Sequence, residues 1–373
     1  MYPDVGRFHD MREAINAGQT QVPCNVRNLR LSNSPGFNHE STRNLGPGFS
    51  FLEVFVPRLV NLQTLDLDHS LSDEPPPLGY PPMAVERLMA SFGALPSLRT
   101  LILGLDGLEK PPHRGLPLES LSNLITFRVD WLSTIRPDPQ ILSQISGLVG
   151  RSPSLESFTF TIPASIPLEA EFGQPVTLEE LLDALSLLTE NHTHFKSLET
   201  RGVVVTGETF QRHSRHFRRL ERLRVRFDPS PFAPANIGGV CEVLSAERIY
   251  LKHIHIDALH HPSTMYYLSS YSGIEHLALK PGHPPDNSPQ LVEQFFSTVL
   301  PRHSGSLKSL RIGANLRTAW SRALTMEQLR ALSRCQELEY ICCWLWITSA
   351  DVAAEKSDVA VSFGGCLCRT RFS

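Results

Sequence analysis

One six-residue pattern of apolar and variable positions recurs along the chain: apolar, two variable, apolar, variable, apolar. It reads VRNLRL from Val26, LQTLDL from Leu62, LRTLIL from Leu98, LITFRV from Leu124 and LESFTF from Leu155. It continues as LETRGV from Leu198, LERLRV from Leu220, AERIYL from Ala246, IEHLAL from Ile274, LKSLRI from Leu307 and LEYICC from Leu338. The shortest step between starts is 22 residues (Leu198 to Leu220) and the longest 43 (Leu155 to Leu198). The fourth and sixth positions are apolar and the fifth is mostly polar, which is the two-residue period of a strand with one buried face. Between phrases the spacing turns helical. Leu178, Leu181, Leu182, Leu185 and Leu188 follow a capping box of Thr177 and Glu180. Thr325 with Gln328 repeats that box before Leu329 and Leu332, and Asp138-Pro139 and Ser288-Pro289 each set a cap before proline at the first helical position. Each unit is predicted to run strand, turn, helix, return.

Units of this size cannot bury their apolar faces alone, but stacked neighbours share a continuous core. The pattern therefore predicts an α/β solenoid with about eleven parallel strands on a concave face and helices on the convex face. It spans residues 26–345, between an N-terminal segment or cap (1–25) and an irregular tail (346–373). A doubly wound α/β enzyme would show glycine loops at strand ends and continuous Val/Ile runs, and neither is present.

Composition narrows the function classes. Among 373 residues 41 % are hydrophobic and 20 % charged, which excludes a wholly disordered or fibrous chain. Thirty-five Lys and Arg stand against 38 Asp and Glu, a formal charge of -3, so global charge points to neither nucleic acid nor membrane. With no signal-like start and no long apolar run, a soluble protein of the cytoplasm or nucleus is expected. The seven cysteines do not suggest a disulfide framework. Cys335 and Cys342 or Cys343 read as buried thiols, and Cys366-Leu-Cys368 is too short a spacing to suggest zinc by itself.

The LxxLxL strands, with flanking phrases such as Leu300–Leu310 and Arg151–Ser157, resemble the leucine-rich-repeat arrays of fungal F-box/leucine-rich-repeat proteins over roughly residues 20–345. In that family an F-box docks a ubiquitin-ligase core and the repeats select the substrate. The resemblance thus implies a substrate-receptor-like module. The 25 residues before Val26 carry no recognisable F-box opening, so docking to a ligase-core adaptor is not expected of them.

No nucleophile elbow, P-loop, dinucleotide fingerprint or metalloprotease motif occurs, and no catalytic role, cofactor or metal is expected. His253-Ile-His255 with His260-His261 could offer metal ligands but read as solvated return-loop histidines. His213 and His216, beside Arg212, Arg215 and Arg218, read as an exposed basic face, and Asp66 and Asp68 as solvated groove residues.

Strand alternation sends phrase positions three, five and seven into the groove. Early strands carry Asp66, Asp68 and Asp130 there. Later ones carry Arg222, Arg224 and Arg226, then Arg248, Tyr250 and Lys252, then His276 and Lys280, then Arg311. Like charges one strand apart lie inside a Debye length of about 8–10 Å and repel. Such a strip is expected to receive an acidic or phosphorylated protein segment, since arginine forks suit carboxylate and phosphate. The alternative is an anionic ligand or nucleic acid on the same strip. Few aromatic groove residues other than Tyr250 and Tyr340 argue against nucleic acid, which favours stacking platforms.

Overall fold

The alternating half of each phrase becomes a strand because its fourth and sixth side chains can leave water only on one side of a pleated backbone. A computed structural model describes residues 10, 13–15, 17–20, 22–32, 52–70, 83–106, 117–133, 136–163, 175–187, 193–226, 237–256, 261–280, 289–313, 320 and 324–343. Its strands are β1 (Asn28–Ser32), β2 (Thr64–Ser70), β3 (Thr100–Asp106), β4 (Thr126–Trp131), β5 (Ser157–Thr161) and β6 (Ser197–Arg201). They continue as β7 (Arg222–Arg226), β8 (His253–Ile256), β9 (His276–Leu279), β10 (Ser309–Ile312) and β11 (Tyr340–Cys343). The chain divides into two compact units, Met1–Phe195 and Lys196–Ser373. In the first, β1 to β5 pair in chain order, each parallel to the next. In the second, β6 to β11 do the same. Helices fill most of the connections, as parallel pairing requires. The architecture is α/β, built of repeating parallel-strand and helix units.

One hydrogen-bond device recurs at the strand entries. The carbonyl of phrase position two accepts from two successive N–H groups of the following strand. Arg99 O accepts from Ile125 at 2.7 Å and Thr126 at 3.0 Å, and Glu221 O from Lys252 at 2.9 Å and His253 at 3.0 Å. Within each compact unit the device locks one repeat to the next with the same phase, so phrase positions align in rows across its strands. Positions one, four and six are buried in most units, for example Leu155, Phe158 and Phe160 in the first unit and Leu307, Leu310 and Ile312 in the second.

The capping signals form as read. The Asp138 side chain accepts from the Gln140 N–H at 2.7 Å, opening a helix over Pro139–Gly150 whose Ile141, Leu142, Ile145, Leu148 and Val149 are buried. Both boxes close reciprocally, Thr177 with Glu180 and Thr325 with Gln328. The leucine run behind Thr177 is α-helical only over Leu178–Leu182 and tightens to 3₁₀ over Asp183–Leu187. Ser288, Leu188, His260, Cys366, Cys368 and the tail 346–373 lie outside the described residues.

Two registers differ from expectation. β6 pairs Ser197 with Arg222, so its phrase is FKSLET from Phe195 rather than LETRGV from Leu198. Thr200 then takes position six and is fully buried, a polar residue where an apolar one was sought. The larger correction concerns Ala246–Leu251. Helix Ile237–Ala246 ends there in a Schellman motif: Ile249 N–H reaches Leu244 O at 2.9 Å, Arg248 N–H reaches Ser245 O at 3.2 Å, and Arg248 sits at φ +55°. Tyr267 donates to Ile249 O at 2.7 Å and accepts from Leu251 N at 3.2 Å, while Tyr271 donates to Leu251 O at 3.0 Å. The segment is a pinned helix exit. The strand phrase is LKHIHI from Leu251, whose Leu251, Ile254 and Ile256 are buried. Hence Arg248, Tyr250 and Lys252 are not strand-face residues.

His213 and His216 also differ from expectation, being 1 % and 0 % exposed. The turn between helix Gly207–Arg212 and the short helix Ser214–Phe217 directs them inward, where Phe210 and Phe217 stack at 4.5 Å. No helix among the described residues is long and apolar enough to cross a membrane.

Candidate anion-binding face

The second unit presents two rows of side chains in strand register. Position three contributes Ser197, Arg222, His253, His276, Ser309 and Tyr340. Position five contributes Glu199, Arg224, His255, Ala278, Arg311 and Cys342. All of these except Cys342 line one groove of about 430 Å³. The Cys342 thiol is buried, as is that of Cys335, so the polar face ends at the β11 edge.

Of the nine residues that the sequence singled out, Arg222, Arg224, His276 and Arg311 meet in this groove. Arg226 and Lys280, at position seven, lie beyond its lining. Arg248 and Tyr250 belong to the helix exit, where Tyr250 stacks on Tyr271 at 5.0 Å, and Lys252 takes position two of the β8 phrase, paired with Glu221 at 3.3 Å. In their place the face gains His253 and His255, which are strand residues rather than return-loop ones. Sequence reasoning missed them because AERIYL satisfies the same phrase as LKHIHI. The helix stop just before Arg248 was the signal that separates the two. The corrected register puts Asp257 at position seven of β8, outside the described residues.

Charge on this face is uneven. Arg224 is held by Glu199 at 2.9 Å. Arg222 and Arg311 are exposed and make no ion pair with another described residue. Positions three and five of β7 to β10 hold no carboxylate. At position two, by contrast, the sign alternates: Lys196, Glu221, Lys252, Glu275, Lys308 and Glu339. Lys308 meets Glu275 at 2.8 Å, which lowers the Glu275 pKa and raises that of Lys308, so this row is neutral by itself. The excess positive charge therefore lies at positions three and five.

His253 and His276 stack in parallel, their centroids 4.5 Å apart and their planes at 9°. Burial, then the neighbouring His276 and Arg222, hold the His253 pKa below its ordinary value. Ligand atoms of His253, His276 and Glu275 lie within 4.8 Å of one another. A metal ion would need both imidazole lone pairs aimed at one point about 2.0–2.1 Å from each nitrogen. Parallel stacked rings aim them in parallel planes instead, and Lys308 already engages Glu275. The arrangement suits an anion better than a cation.

Carboxylates of the first unit are arranged differently. Asp66 lies 3.4 Å from Arg30, and Asp130 pairs with Arg128 at 2.7 Å while accepting from the Thr161 hydroxyl at 2.7 Å. Arg30 and Asp66 are strand neighbours, so the acids meet bases within the same face. The Asp68 side chain lies outside the described residues. No protein-family model matches the chain, and a search of curated proteins finds no match either.

Proposed function

We propose that this chain is a non-catalytic recognition module of the leucine-rich-repeat kind, substrate-receptor-like, which takes an acidic or phosphorylated segment of a partner protein on the β6–β11 face. One observation carries the reading. Arg222 and Arg311 stand exposed without an ion pair to another described residue, on a face whose central strands offer only cations, imidazoles and small groups. By contrast, charges of opposite sign meet on the strand faces at Arg30–Asp66 and Arg128–Asp130, and along the position-two row at Lys252–Glu221 and Lys308–Glu275. Guanidinium groups left open to solvent suit carboxylate or phosphate oxygens in bidentate contact. An extended segment crossing the strands would meet both rows.

The experiment is a titration of a fluorescently labelled deca-glutamate peptide with the full chain over a salt series, with single-stranded DNA of equal charge as a second probe. Saturable, salt-weakened binding of the peptide in preference to DNA is the expected result. Stronger binding to DNA, with a steep log–log salt slope, would assign the face to nucleic acid instead. Binding of neither would overturn the proposal.

A further inference from the structure

The two rows leave one hollow. In the position-five row, Arg224, His255, Ala278 and Arg311 follow one another across β7 to β10, and Ala278 carries only a methyl group between two long side chains. The backbones on either side of it are about 9–10 Å apart, two strand spacings. His276 flanks the hollow from two residues earlier on the same strand, and Ser309 stands beside His276 in the register. Arg311 borders it with an exposed guanidinium that makes no ion pair with another described residue.

We propose that the hollow over Ala278 is a phosphoryl subsite, selecting a phosphate monoester over a carboxylate and taking up a proton as it does so. The inference rests on the anion-binding reading above and names its preferred ligand. Groups able to donate flank Ala278 in the register: Arg311 on β10, His255 on β8 and His276 two residues earlier on β9 itself. A tetrahedral group with three oxygens can meet all three, whereas a planar carboxylate has two. The charged and titratable groups facing it are Glu199 on β6, Arg222 and Arg224 on β7, His253 and His255 on β8, His276 on β9, Arg311 on β10 and Tyr340 on β11, with Glu221, Lys252, Glu275 and Lys308 along the entry edge. Glu199 is held by Arg224 and Glu275 by Lys308, so neither carboxylate stands open toward the hollow.

Proton uptake follows from the stacked imidazoles. His253 is held below its ordinary pKa first by burial and then by His276 and Arg222, since two protonated rings 4.5 Å apart beside a guanidinium would repel. A dianion placed next to the pair reverses the local sign and favours the imidazolium form.

The test is isothermal titration of the full chain at pH 7 with the peptide Gly-Ser-Gly-pSer-Gly-Ser-Gly, its glutamate counterpart and its unphosphorylated form. Each titration is run in two buffers of different ionisation heat. The phosphopeptide is expected to bind at least about tenfold more tightly than the glutamate form, with net proton uptake. Arg311→Gln should weaken the phosphopeptide about tenfold without moving the melting temperature, and His253→Gln should reduce the uptake. Equal affinity for the phosphoserine and glutamate peptides, or an unaffected Arg311→Gln, would overturn the subsite. If deca-glutamate still binds in that case, the anion-binding face stands without it. If deca-glutamate does not bind either, both proposals fall.

Discussion

Two residues carry conformations or protonation states that their side chains would not choose in isolation. Arg248 occupies the left-handed region at φ +55° to end the helix before β8. An L-residue there costs about 1–2 kcal/mol, part of which glycine returns as unfolded-state entropy. Arg248→Gly is therefore expected to raise stability by about 0.5–1 kcal/mol in urea melts, and a destabilised variant would contradict the Schellman assignment. His303 is nearly fully buried, accepting from Ile274 N at 3.2 Å through Nδ1 and donating from Nε2 to Leu268 O at 2.8 Å. Accepting at Nδ1 requires the neutral ring, and burial lowers its pKa against the opposing pull of the Leu268 bond. The unfolded chain then binds more protons than the folded one between the depressed folded pKa and the ordinary value of about 6.5. Stability is full above about 6.5 and falls as pH drops through that value. In thermal melts from pH 7.5 to pH 5, His303→Gln should show a shallower decline than wild type. Parallel curves would count against it.

At the scale of elements, the repeat phrase translated into strands wherever its apolar positions had no competing use. Leu223 and Leu310 lie at position four of β7 and β10 and are essentially inaccessible. Each changed to alanine should cost about 2–5 kcal/mol through lost transfer energy and the cavity left behind. Unchanged melting for either would refute the register. The helix stop before β8 shows where legibility ended. Ile249 and Leu251 are apolar because one completes a helix cap and the other opens the next phrase, so spacing alone could not say which hexapeptide was the strand. β6 was misread for the opposite reason, since buried Thr200 hides its position six among polar residues. The inward turn of His213 and His216 depends on packing around Phe210 and Phe217, which periodicity does not reveal. Nor does it reveal how closely helices approach. A Cβ on Gly207 would lie 2.7 Å from the Gly239 carbonyl carbon, in the neighbouring helix. Gly207→Ala should thus destabilise by about 1–3 kcal/mol despite its better helix propensity. A stabilised variant would mean that the helices can part there without loss.

For the molecule as a whole, the candidate face was half legible. The sequence located arginines on β7 and β10 and a histidine on β9, since alternation fixes which side chains share a side. It could not place the two histidines of β8, nor pair Arg224 with Glu199, because both depend on the registers of β8 and β6. What remains is a face whose unbalanced charge is carried by Arg222 and Arg311 beside three imidazoles, of which His253 is held below its ordinary pKa by burial and then by His276 and Arg222. In the proposed reading, position on this face, and not charge in general, makes it an anion receptor. The most direct measurement is fluorescence-anisotropy binding of the labelled deca-glutamate peptide to wild type and to two doubly reversed variants. Arg222→Glu with Arg311→Glu changes the face. Arg212→Glu with Arg248→Glu changes the net charge equally, away from it. The first pair is expected to abolish binding while the second leaves it within about twofold, the remainder reflecting screened long-range attraction. Equal loss in both variants, or binding retained by the first, would contradict that reading.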